Sequence, residues 1–178
     1  STAGWKPADS EPSETVKEHD MRRKDREIKE DNEIVEVIRN CDICRLGLVD
    51  GEYAYILPLN FGMEQDEEGK VTLYFHSALE GRKTELLKEG LKASFEMDTK
   101  HEIEYDEGRG YCTYYFESVM GRGTIHILND DEKFEALKKL MDHYHPGANA
   151  YFNTAAIPRT LVYALEVEEM TGKRKLPK

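Results

Sequence analysis

The stretch Leu73–Leu87, LYFHSALEGRKTELL, gathers residue types that bind an anion and act beside it. Its first residues read as a strand ending at His76. Ser77 and Glu80 then stand in the S-x-x-E spacing of a capping box, in which the hydroxyl accepts from the Glu80 amide while Glu80 reaches back. Unpaired amides at a helix start carry partial positive charge and favour an anion. Arg82 and Lys83 follow in the same first turn, where the helix dipole is least favourable to cations. A segment that weakens its own helix in this way points to a negative ligand. Each charge-assisted hydrogen bond to a phosphate contributes about 1.5–3 kcal/mol. The competing reading leaves Arg82 and Lys83 as solvated charges paired with Glu80, Glu85 or Glu89. His76, whose imidazole titrates near neutrality, can orient or protonate a substrate, or serve as a satisfied core residue.

Other residue patterns carry less chemistry. Cys41-Asp-Ile-Cys44 has the C-x-x-C spacing of zinc and thioredoxin-like sites, but Cys112 is the only other cysteine and zinc needs about four ligands. The motif also follows a helix instead of opening one, unlike a redox C-x-x-C. His143 and His145 do not share a helix face, and before Pro146 they suit a helix end, where a cation is favourable. Tyr111, Tyr114, Tyr115 and Phe116 read as wall packing, not as a base-stacking platform. The 178 residues carry 25 Lys+Arg against 36 Asp+Glu, a formal net charge of −11, which excludes backbone-driven nucleic-acid binding and disfavours anionic lipid. No stretch approaches the roughly 20 apolar residues of a membrane helix, and Ser1–Asp20 has no apolar signal core. Three cysteines, an odd count, suit a reducing, cytoplasmic setting.

The elements that must position these residues are mostly strands. Ser1–Asp20 lacks periodicity and reads as a disordered extension or non-native remnant, Trp5 its one candidate anchor and Met21 a candidate native start. The domain is expected over residues 21–178. Asp31 can cap a short helix with Ile34, Val35, Val37 and Ile38 as its apolar stripe and Asn40 as its stop. Ile43–Val49 and Tyr53–Leu59 flank Asp50-Gly51, a hairpin signal; Pro58 belongs on an edge strand. Gln65–Lys70 predicts a loop, Val71–His76 a strand, and Leu79 to about Glu89 a helix closed by Gly90. Lys92–Asp98 alternates as a half-buried strand, and Thr99–Gly110 predicts an acidic mobile loop. Tyr111–Ile127 reads as one strand bent at Gly121-Arg122-Gly123. Asn129 and Glu132 open a helix to Tyr144 with Phe134, Leu137, Leu140 and Met141 buried. Leu161, Tyr163, Leu165 and Val167 alternate along a last strand. About six hairpin-linked strands imply a small antiparallel barrel with peripheral helices.

Several of these segments, taken together, resemble a known family. Met21-Arg-Arg-Lys-Asp-Arg-Glu-Ile28, Cys44-Arg-Leu-Gly-Leu-Val-Asp-Gly51, Leu57-Pro-Leu-Asn-Phe-Gly62, Leu73-Tyr-Phe-His-Ser-Ala78, Gly81-Arg-Lys83, Glu117-Ser-Val-Met-Gly-Arg-Gly123 and Thr171-Gly-Lys173 follow one another in order. In that order and spacing they resemble the nitroimidazole-resistance (Nim) branch of the pyridoxamine-phosphate-oxidase-like, FMN-binding split-barrel superfamily, over about Met21–Arg174.

The resemblance implies a mostly β, six-stranded antiparallel split barrel that forms a homodimer with FMN at the subunit interface. Arg82 and Lys83 would grip the FMN phosphate, helped by Ser77 and the Ala78 amide. Pro58, Leu59 and Asn60 would lie along the isoalloxazine, His76 would face the ring system, Ser118 would border the flavin, and Arg45 would lie near the phosphate or ribityl chain. The implied activity is NAD(P)H-dependent reduction of a small acceptor such as a nitro-aromatic, with His76 orienting or protonating substrate. The Arg-and-His substrate motif of true pyridoxamine-phosphate oxidases is missing, so vitamin B6 chemistry is not implied. A non-catalytic flavin- or haem-binding storage or sensor module, with His76 as axial ligand, is the alternative on the same barrel.

Overall fold

The computed structural model, describing residues 21–147 and 153–178, turns the period-two segments into one antiparallel sheet. The expectations for Ser1–Asp20, Trp5 included, lie outside those residues. In chain order the elements are β1 (Glu27–Ile28), α1 (Asp31–Asn40), β2 (Cys44–Asp50), β3 (Tyr53–Leu59), β4 (Gly62–Gln65), β5 (Val71–Ala78), α2 (Arg82–Leu86), β6 (Lys92–Asp106), β7 (Tyr111–Ile127), α3 (Asp130–Tyr144) and β8 (Thr160–Lys175). The strands are hydrogen-bonded in the order β3-β2-β6-β7-β8-β5-β4, with β1 added to β8. The fold is a split barrel, open where β3 and β4 end that order. Eight strands replace the expected six, because β1 and β4, two and four residues long, are too short to show a period.

Alternation decides which side chains fill the barrel. Cys44, Leu46 and Leu48 of β2, Ala93, Phe95 and Met97 of β6, and Val71, Leu73 and Phe75 of β5 point inward. The stripe Ile34, Val35, Val37 and Ile38 of α1 closes onto the same core. A fully buried aliphatic or aromatic side chain contributes about 1.5–3 kcal/mol. At the other side α3 lies so close to β4 that a Cβ on Gly62 would meet the Leu140 amide nitrogen at 2.5 Å. The buried Phe61 links β3 to β4; its ring lies tilted at 44° against His143, centroids 4.2 Å apart, and its N–H donates to the Tyr144 hydroxyl. His143 Nε2 lies 2.7 Å from the Cys41 carbonyl oxygen, so this histidine ties the helix end to the chain after α1.

Several expectations are corrected. Asp31 is the first helical residue of α1 and Glu30 the cap. The β2–β3 turn is Gly51-Glu52, because Asp50 pairs with Tyr53. The helix expected from Leu79 to Glu89 has only five residues. β5 runs on through Ser77 and Ala78, which pair with Leu161 and Thr160 of β8, so the ladder takes the residues the capping box would have used. Gly90 lies past that helix, with its N–H donating to the Ile125 carbonyl. In α3 the capping box is present, but Lys133, Ala136 and Leu140 are buried while Phe134 is exposed, since the helix turns Phe134 away from the sheet.

The expected loop Thr99–Gly110 is instead a two-stranded ribbon. After a bulge between Thr99 and Glu102, β6 and β7 pair from Glu102↔Tyr115 to Asp106↔Tyr111. Lys100, in that bulge, has φ 55°, and its Nζ lies 3.1 Å from Oε2 of the buried Glu117, an ion pair without hydrogen-bond alignment. The bend expected at Gly121-Arg122-Gly123 is a second bulge, where a Cβ on Gly123 would sit 2.0 Å from the Glu166 carbonyl oxygen.

Candidate functional site

β5 and α2 bring His76, Ser77, Ala78, Arg82 and Lys83 to one corner of the barrel. Ser77 Oγ and Thr84 Oγ1 both donate to the Ala78 carbonyl, at 3.0 and 3.3 Å, closing the bend between strand and helix. Gly81, at φ 119°, makes the turn that L side chains rarely adopt. With five residues, α2 has too little length for a dipole-based anion site, so any grip on an anion falls to side chains.

The two cations of α2 differ in their surroundings. Arg82 is held through all three of its nitrogens: Nε donates to Asp50 Oδ2 at 3.0 Å, Nη2 also donates to Asp50, and Nη1 donates to Glu85 Oε2 at 2.9 Å. Lys83 is half-buried, and its ammonium has no hydrogen bond or ion pair among the described residues. Burial pushes its ammonium below the usual lysine value. His76 is lowered from the ordinary 6.5, first by burial and then by the positive Lys83. A positive charge without an acid partner, beside an imidazole held below its ordinary value, is a residue set that fits a phosphate-bearing group. His76 also opens onto a cavity of about 220 Å³, walled by Leu137 and Met141 of α3 and by Ile157.

The remaining sequence-derived residues lie elsewhere. Arg45, on the outer face of β2 opposite Pro58, donates through Nη1 to Glu96 Oε2 at 3.0 Å and to Asp98 Oδ1 at 2.8 Å. Burial, and then the neighbouring Asp98 carboxylate, raise Glu96 above the usual carboxylate value despite the Arg45 guanidinium that both acids share. Leu59 turns into the core, whereas Asn60 is exposed where β3 ends. Ser118 stands on the outer face of β7 between Asp98 and Lys173, in a cavity of about 480 Å³ that also takes in Met120 and Thr171. Asp50, the acid on Arg82, shows in the sequence only as a turn residue; thirty-two positions separate the pair, and no local signal joins them. Leu137 and Met141, expected in the buried stripe of α3, are only partly buried and wall the His76 cavity.

The cysteine pair lies inside the protein. Cys41 and Cys44 are free and buried, and burial pushes the Cys41 thiol up to about 12. Among the described residues no cluster of three His, Cys, Asp or Glu side chains could hold a metal, and no helix is long and apolar enough to cross a membrane.

The model of the family described as pyridoxamine 5′-phosphate oxidase matches residues 30–174. The chain belongs to that family. Within the pyridoxamine 5′-phosphate oxidase family and its fold, the chain is similar to a solved structure from Bacteroides thetaiotaomicron, described as a candidate 5-nitroimidazole antibiotic resistance protein. That likeness has 30% identity and a TM-score of 0.70 and covers 83% of this chain and 86% of that one. An FAD and heme binding protein from Mycobacterium smegmatis has 18% identity and a TM-score of 0.72 over 85% of this chain and 74% of that one. The flavocytochrome of Azotobacter vinelandii has 18% identity and a TM-score of 0.74 over 92% and 75%. These last two establish the shared fold. No curated protein matches the chain.

Proposed function

We propose that the protein is a cytoplasmic, homodimeric FMN-binding oxidoreductase that uses NADH or NADPH to reduce a small acceptor such as a nitro-aromatic. The observation that carries this reading is the half-buried Lys83, with no acid partner among the described residues, beside His76 in a pyridoxamine 5′-phosphate oxidase-family barrel. A flavin bound there would supply the two-electron, hydride-transfer chemistry. Lys83 binds the phosphate, with Ser77 and Ala78 shaping the corner around it. His76, neutral above the ordinary imidazole range, accepts a hydrogen bond from the acceptor or gives it a proton after capture at lower pH. Leu137, Met141 and Ile157 keep water from the acceptor. The free thiols suit a reducing compartment.

The dimer reading is supported by where the candidate residues fall. Along β8, His76 is level with Val162 and Ser118 with Lys173, eleven residues and roughly 35 Å of strand apart. One chain therefore does not bring Ser118 to its own His76. In our reading Ser118 and Arg45 border the flavin held by the other subunit, and the exposed outer face carrying Val49, Ile56 and Met120 is the surface that meets its twofold mate.

The test is a visible-absorption titration of the purified protein with FMN, FAD and riboflavin, followed by NADH and NADPH oxidation with nitro-aromatic acceptors. Flavin bands saturating at one FMN per subunit, with acceptor-dependent turnover, support the reading. His76→Ala should then lower turnover with flavin still bound. A protein that takes up haem and oxidises no nicotinamide belongs instead to the storage or sensing class, a reading favoured by the heme-binding description of the Mycobacterium smegmatis structure.

A further inference from the structure

Arg82 and Lys83 are neighbours in sequence and opposites in circumstance, and the difference lies in Asp50. The Asp50 carboxylate takes two donors from the Arg82 guanidinium, through Nε and Nη2. This is the two-point geometry that the same fork offers to a phosphate. Glu85 takes Nη1. Asp50 is held in place by backbone: it pairs with Tyr53 as the last rung of the β2–β3 hairpin, and Gly51, at φ 61°, turns the chain immediately after it. The Asp50 side chain is 27% exposed, against 50% for Arg82 and 65% for Glu85. Asp50 is therefore the more shielded and better placed of the two acids. A ligand phosphate arriving at Lys83 meets a guanidinium already engaged by an anion of the protein itself, and that anion would repel it.

We propose that Asp50 is a built-in competitor for the ligand phosphate: its carboxylate occupies the Arg82 fork, so that a phosphate gains Arg82 only by displacing it, and Asp50 thereby sets how strongly the site prefers phosphorylated over unphosphorylated flavin. This inference rests on the flavin reading above and adds a specificity-determining residue to it. Lys83 makes the first contact and Arg82 the second, at the cost of leaving the Asp50 carboxylate without its fork. The wild-type site then discriminates weakly between FMN and riboflavin for a site with two adjacent cations. Removing the competing charge restores the discrimination those cations can supply.

Asp50→Asn keeps the shape of the side chain while removing its charge and one acceptor oxygen, and Asp50→Ser provides a second variant if the amide disturbs the turn. Dissociation constants for FMN and for riboflavin are measured by quenching of flavin fluorescence, with circular dichroism to check folding. The expected result is a rise of tenfold or more in the riboflavin-to-FMN ratio of dissociation constants in both variants, from tighter FMN binding with riboflavin unchanged. Glu85→Gln, which frees only the exposed Nη1 contact, should raise the ratio less. An unchanged ratio overturns the proposal. So does a lower one, which would make Asp50 a positioning residue that aims Arg82 at the phosphate. If wild type and variants bind neither flavin, the flavin reading falls and this inference falls with it. If wild type binds both flavins and the ratio stays fixed, only the role of Asp50 is lost.

Discussion

Lys83 and His76 feel each other through partly desolvated space, and that coupling is measurable without any substrate. Because burial and then Lys83 hold the folded imidazole below 6.5, the unfolded chain binds the proton more readily. The contribution of His76 to stability is therefore complete above the ordinary imidazole value and is lost as pH falls below it toward the folded value. Proton NMR of the His76 ring should give a midpoint below 6.5, and Lys83→Ala should move it upward without fully restoring it, since burial is the larger cause. The same substitution should weaken FMN binding by roughly tenfold to a hundredfold, the loss of one charge-assisted bond, and leave riboflavin nearly unaffected. A third residue-level expectation concerns the thiols. The exposed Cys112 should alkylate with iodoacetamide in the native protein, whereas Cys41 and Cys44 should react only on unfolding. At this scale the sequence showed which residue types gather at the corner, since His76, Arg82 and Lys83 lie within eight positions. It could not show that Arg82 is occupied, because its partner comes from a distant hairpin. Nor could it show the 35 Å or so of strand between Ser118 and His76, which only the register of β8 reveals.

Among the elements, the long periodic ones were legible and the short or solvated ones were not. β7 runs over the residues expected, Tyr111–Ile127, and bends at its glycines. The stripe of α1 is buried as its spacing requires. The ribbon was missed although Glu102-Ile103-Glu104-Tyr105-Asp106 alternates, because its apolar face is exposed and its charges suggested a loop. The helix expected from Leu79 to about Glu89 shrinks to Arg82–Leu86 because a capping box is a local preference, worth less than two further rungs on β8. Contact between elements makes its own prediction. Gly62→Ala should push α3 off β4 and cost about 1–3 kcal/mol in urea unfolding, because the added methyl meets helix backbone. Gly51→Ala, in open space at φ 61°, should cost about 1 kcal/mol, from backbone strain alone.

For the molecule as a whole, the proposed twofold assembly makes the outer sheet face decisive. Sedimentation should show a dimer, and Met120→Glu, placing a charge at the centre of that face, should give monomers that fold but lose FMN. A monomeric wild type that binds FMN fully would remove the interface from the site. The order of the sheet also bears on how the molecule is made. β8 is flanked by β7 and β5 and carries β1 on the same strand, yet the ribosome produces it after all the others. Until Thr160–Lys175 emerges, β5 and β7 both present bare hydrogen-bonding edges beside unburied apolar faces. The nascent chain therefore cannot complete its core during elongation, and closing the sheet is a late, long-range step. A stop codon ahead of Thr160 should yield aggregated protein, not a shortened but soluble barrel.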